Sequence, residues 1–102
     1  MKIMLACCLG MSTSVVVQKM KDAAKEQGKD YEIWAVDQNK IAENVGNFDV
    51  LLLGPQVRYL EKEYKPLCEQ KGKGFGVIPM QTYGRMDGKG CMELARKAAA
   101  NK

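Results

Sequence analysis

Residues 7–14 of the 102-residue chain read Cys-Cys-Leu-Gly-Met-Ser-Thr-Ser. A thiol, a glycine and a run of hydroxyls packed into so short a stretch are the parts of a site that seats an anion and attacks it. Residues 2–7 before it are an apolar run that reads as a buried strand, and the residues after it take up helical spacing. The first turn of a helix carries N–H groups without partners and partial positive charge. A loop wound around that point makes a nest of donors for an anion. Gly10 lets the backbone turn, while Ser12, Thr13 and Ser14 add hydroxyls. A sulfur at the floor of such a nest is favoured as thiolate, the nucleophilic form. The same donors would then hold the oxygens of a transferring phosphoryl group.

The chain has no histidine. It therefore has no Cys–His dyad, no His metal ligand and no side chain that ordinarily titrates near neutrality. With no Cys-x-x-Cys pair either, neither a metal nor another cofactor is expected. Activation of the thiol must come from the loop or from a partner. Strand alternation puts Cys7 and Cys8 on opposite sides, so one of them points into the nest, and spacing alone leaves open which. Cys68 and Cys91 fall on apolar helical faces and read as small core residues.

The remaining segments supply the frame. A helix is expected over residues 13–27, capped by Ser12 or Thr13 and ended by Gly28. Residues 31–36, 49–53 and 75–78 read as strands, and 41–45 as a short helical turn. Val57, Leu60, Tyr64 and Leu67 recur as a helical face that Pro66 should kink or interrupt. Asp87 is placed to cap a last helix with Cys91, Leu94, Ala95 and Ala98 turned inward. Strand and helix alternate four times, which predicts an α/β fold: a four-stranded parallel sheet of order 2-1-3-4, flavodoxin-like, in three α/β/α layers. Ligands in such sheets sit beyond the carboxyl ends of the strands where the winding reverses. The loops 7–14 and 54–56 meet there, and the loop 79–84 should form an adjacent wall, making Gln56 and Tyr83 secondary candidates.

With these residues in view, the chain resembles enzyme IIB of the lactose/cellobiose/chitobiose branch of the bacterial phosphoenolpyruvate-dependent sugar phosphotransferase system. The family pattern Cys-x-x-Gly-Met-Ser-Thr-Ser after a hydrophobic strand is matched by Cys7, Gly10, Met11, Ser12, Thr13 and Ser14. The likeness continues through Asp49-Val50-Leu51-Leu52-Leu53-Gly54-Pro55-Gln56 and then Tyr83-Gly84 and Asp87-Gly88. It departs at Cys8-Leu9, where small residues are more usual, and in residues 56–70 and 71–74. The resemblance implies a single such domain over residues 1–102, acting as a protein-phosphocysteine–sugar phosphotransferase. It implies that Cys7 is the phosphocysteine and that Cys8, Leu9, Gly10, Met11, Ser12, Thr13 and Ser14 form its phosphate loop. The partners it implies are enzyme IIA, whose phosphohistidine is the donor, and the membrane enzyme IIC with its bound sugar, a β-linked disaccharide.

Composition agrees with a globular domain, 46% hydrophobic and 27% charged. The net charge of +4 is spread over helix faces without interleaved aromatic residues, so no nucleic-acid partner is expected. The apolar start is too short for a secretory signal, no run approaches a bilayer span, and the expectation is a cytoplasmic monomer with reduced thiols. Two other classes stay open on the residues alone. A low-molecular-weight phosphatase-like hydrolase needs an arginine six positions after its cysteine, where Thr13 or Ser14 stands here. A non-catalytic flavodoxin-like binding module would leave Cys7 inert.

Overall fold

The computed structural model describes residues 1–7 and 11–100, with residues 11–13 given by their backbone. Strand β1 (Lys2–Cys7) leads to helix α1 (Met11–Glu26), β2 (Glu32–Asp37), two 3₁₀ turns (Gln38–Lys40 and Ala42–Asn44) and β3 (Val50–Leu53). A 3₁₀ segment (Pro55–Leu60) runs into α2 (Glu61–Gln70), followed by β4 (Gly74–Val77), the short α3 (Met80–Gly84) and α4 (Gly88–Ala100). All strand pairs are parallel and the order is β2-β1-β3-β4, as the alternation predicts.

The period of two along β1 and β3 builds two cores. Ile3, Leu5, Val50 and Leu52 face α1 and α4, packing on Val16, Met20, Cys91, Met92 and Ala95. Met4, Ala6, Leu51 and Leu53 face the other way, onto Ile41, Phe48, Val57, Tyr64 and Cys68. Because both faces of the central strands are covered, near-continuous apolar runs were required of them. Each fully buried Leu or Ile contributes about 1.5–3 kcal/mol. Helices α1 and α4 cross so closely that a Cβ on Gly88 would run into the backbone of Lys19.

Three helices end in the same way. At α1 and α2 a glycine takes the left-handed conformation (Gly28, φ +68°; Gly72, φ +70°), and the next residue's N–H returns to a carbonyl five positions back. At α3 the same pair of bonds forms, Met86 N–H to the Tyr83 carbonyl at 3.0 Å and Asp87 N–H to that of Thr82 at 3.1 Å. There the left-handed residue is Met86, φ 53°.

Several expectations need adjusting. Helix α1 begins at Met11, so Ser12 and Thr13 stand in its first turn rather than at its cap. Helix α2 runs through Pro66 to Gln70, and the break in helical geometry lies earlier, at Val57 (φ −118°, ψ 21°). One lost amide bond in a helix packed on the sheet by Tyr64 and Cys68 is tolerated. The wall at residues 79–84 is a short helix, because Pro79 sets an extended entry and the Tyr83 N–H closes on its carbonyl at 2.9 Å. On α4, Met92 is fully buried while Leu94 is partly so, lying over the edge strand β4 at Gly76.

Candidate active site

Cys7 is the last residue of β1. The β1–β3 ladder ends one step earlier, with Ala6 opposite Leu53, and β3 leaves the sheet there through Gly54. The Gly54 N–H still bonds to the Ala6 carbonyl at 2.9 Å, which holds the exit of β3 beside Cys7. This is the point where the chain winds away in opposite directions, the expected ligand crevice of an open parallel sheet. Alternation turns Cys7 to the side of Ile3 and Leu5, towards α1 and α4. Its side chain is buried, 4% exposed.

Among the described residues, Gln56 and Tyr83, from distant parts of the sequence, reach the sulfur. The Cys7 Sγ–H is directed at Gln56 Oε1, 3.6 Å away, within the longer reach of a sulfur donor. The Tyr83 hydroxyl lies 3.7 Å from the same sulfur, and either atom can donate. Gln56 is positioned by the 3₁₀ turn that Pro55 opens, closed by the Val57 N–H to the Gly54 carbonyl at 3.0 Å. Tyr83 is held by α3 and buried in the core shared with α1 and α4. A Cβ on Gly54 would stand 3.2 Å from Gln56 Oε1 and 3.6 Å from the sulfur, so a glycine leaves this corner open.

Of the residues singled out in the sequence, Cys7, Gln56 and Tyr83 are thus brought together. Ser14 lies exposed in the first turns of α1. Cys8, Leu9 and Gly10 lie outside the described residues, as do the side chains of Met11, Ser12 and Thr13. An open groove of about 470 Å³ between α1 and the edge strand β2 reaches Ser14, and Cys7, Gln56 and Tyr83 do not line it.

The other described cysteines differ in kind. Burial pushes the Cys68 thiol up to about 11 despite nearby Lys73, and burial with Asp87 pushes Cys91 up to about 11 as well. Both stay protonated at neutral pH and serve as core residues. Among the described residues no cluster of His, Cys, Asp and Glu could hold a metal ion. One neighbour went unmarked in the sequence. Asp37 pairs with Cys7 across β1 and β2, and its carboxylate accepts the Asn39 N–H at 2.9 Å to cap the following turn. An Asp that closes a strand and precedes Gln-Asn-Lys is a capping signal that marks it.

Known sugar phosphotransferase components share this chain's sequence and fold. The family model described as "PTS system, Lactose/Cellobiose specific IIB subunit" matches residues 2–94. The oligo-beta-mannoside-specific EIIB component of Bacillus subtilis is 43% identical over 100 residues, covering 98% of this chain and 97% of its own. The cellobiose-specific EIIB component of Lactococcus lactis subsp. lactis is 47% identical over 91 residues, 84% of each chain. The galactose-specific EIIB component of Lactococcus lactis subsp. cremoris is 48% identical over the same length and share. The solution structure of a cellobiose-specific IIB component from Borrelia burgdorferi superposes with a TM-score of 0.81 at 37% identity, over 100% of this chain and 94% of that one. The lactose-specific IIB domain of Streptococcus pneumoniae shares the fold alone, with a TM-score of 0.77 at 17% identity over 98% and 91% of the two chains.

The chain belongs to the lactose/cellobiose-specific IIB family of the phosphotransferase system. It is a sugar-specific phosphotransferase component that works with other components of that system. The hydrolase and the inert binding module, open on the residues alone, do not agree with this membership. No described helix is long and apolar enough to cross a membrane.

Proposed function

We propose that Cys7 carries the phosphoryl group. The observation that bears most weight is the placement of its sulfur at the sheet's crevice, with the Gln56 amide and the Tyr83 hydroxyl within 3.6 and 3.7 Å. In the first step the sulfur attacks the phosphorus of a phosphohistidine on enzyme IIA. The S–P bond forms as the N–P bond breaks, and the thiol proton ends on the departing imidazole nitrogen. In the second step a hydroxyl of the sugar held by enzyme IIC attacks that phosphorus. The S–P bond breaks and the hydroxyl proton returns to the sulfur. The donor imidazole comes from the partner, which suits a chain without histidine.

Residues 8–14 form the phosphate loop in this reading, with N–H groups at the start of α1, the end that favours an anion, among its donors. Gln56 and Tyr83 border it. Both are uncharged and residues 7–14 contain no arginine, so the loop offers no guanidinium clamp of the kind a hydrolase uses, and a carrier gains from a slow loss to water. The work is done in the cytoplasm, and the sugar is a β-linked disaccharide, a class suggested by the cellobiose and oligo-beta-mannoside relatives.

The test is to mix the protein with phosphoenolpyruvate, the general phosphotransferase proteins and a cognate IIA, and to follow intact mass. One added phosphoryl group, stable until IIC and sugar arrive, is expected. Continuous release of inorganic phosphate, or no gain in mass, would refute the proposal.

A further inference from the structure

Gln56 is an exposed residue whose amide head rests on a buried sulfur. Its root is fixed by the 3₁₀ turn after Pro55, while its terminal torsion is broad and roughly two-fold. The open corner at Gly54 leaves the head room to turn, since no side chain there crowds the amide oxygen. Tyr83, by contrast, is fixed in the core.

We infer that Gln56 is a positioning residue that follows the charge on Cys7, its carbonyl accepting the thiol proton and its Nε2–H, turned inward, donating to the thiolate. This rests on the reading of Cys7 as the phosphoryl acceptor and adds how the sulfur is readied for attack. A thiol is a weak donor, so the resting contact contributes little. A hydrogen bond to an anion is about twice as strong as a neutral one. The amide therefore stabilises the thiolate more than the thiol, and the reversal costs no repacking because the residue is exposed.

Removing the amide must then make the sulfur harder to ionise. If Gln56 only held the proton, its removal would make ionisation easier, so the two roles have opposite signs. Ionisable groups on the flanking described elements include Tyr83 on α3, Asp37 at the end of β2 and, beyond Gln56, Arg58 and Tyr59. All are kept in the variants below.

The experiment is the rate of Cys7 alkylation by iodoacetamide against pH in the full-length protein, read site by site through peptide mass. Gln56→Met keeps the length and removes donor and acceptor; Gln56→Glu keeps an acceptor and removes the donor. In Gln56→Met the midpoint of the profile moves up and the rate at pH 7 falls about tenfold. In Gln56→Glu it moves up further, because the carboxylate adds its charge. A midpoint that stays or falls in Gln56→Met overturns the inference. Alkylation uses no phosphoryl donor, so this result is separate from phosphorylation: a wild-type protein that takes no phosphoryl group sinks the proposed function, not the role of the amide.

Discussion

The sulfur of Cys7 and the phenol oxygen of Tyr83 stand 3.7 Å apart although their residues are 76 positions apart in the chain. The first and fourth strand–helix units meet at this contact. A phenol beside a sulfur can donate to a thiolate, or to the oxygens of a group carried on it.

Tyr83→Phe removes only that hydroxyl from a buried ring. Loss of a hydrogen bond to a charged group, about 1.5–3 kcal/mol, should slow phosphorylation of Cys7 roughly tenfold to a hundredfold. Circular dichroism and the melting temperature should change little. Quench-flow with a phosphorylated IIA component gives the rate, and an unchanged rate would remove Tyr83 from the chemistry.

Cys7→Ser should abolish phosphoryl labelling, and Cys8→Ser should preserve it. The doubly substituted Cys68→Ser, Cys91→Ser protein, if it folds, should label as the wild type does, because those thiols remain protonated in the core. Intact mass after incubation with the phosphorylating system decides each case.

The raised thiols also set a pH dependence of stability. A group whose folded value lies above its unfolded one contributes stability that is full below the unfolded value and is lost as pH rises through the folded one. For Cys68 and Cys91 that window runs from the ordinary thiol value of 9.0 to about 11. Tyr64, raised from 10.0 by burial and by Glu63, acts in the same direction. Thermal melts should therefore show a falling melting temperature between pH 9 and 11, and Cys91→Ala should flatten the slope.

Met86→Gly should stabilise the protein. A side chain in the left-handed conformation costs about 1–2 kcal/mol, and this position closes α3 as Gly28 and Gly72 close α1 and α2. Glycine's greater freedom in the unfolded chain offsets part of this. A gain of about 1 kcal/mol, some 4–8 °C for a domain of this size, is expected in a thermal melt.

Gly88→Ala should do the reverse. Its new Cβ would strike the backbone of Lys19, which cannot move aside as a flexible side chain would. Overpacking of this kind costs about 1–3 kcal/mol. A denaturant melt with unchanged slope and an earlier midpoint would report it.

Much of this was legible because the strands announce themselves. Val50–Leu53 and the end of β1 are apolar without interruption, which a strand buried on both faces demands, and the sheet order follows from short right-handed crossovers. Pro66 misled because proline's effect depends on its setting, and packing of Tyr64 and Cys68 carries α2 past it. The helix at Tyr83 has only five residues, too few to show a helical period, so its sequence reads as a loop. Gln56 and Tyr83 could be placed at the rim from topology. That their polar ends turn onto one sulfur depends on torsions that no pattern of residue types encodes.

Tyr83 reaches the Cys7 sulfur from α3, which follows β4, the strand paired with β3, in the last quarter of the chain. A polypeptide still emerging from the ribosome, or clipped before α3, would carry the cysteine with an unfinished setting. Competence thus arrives with the helices beyond the last strand, so a fragment ending before residue 80 should carry the nucleophile yet gain no phosphoryl group at a useful rate.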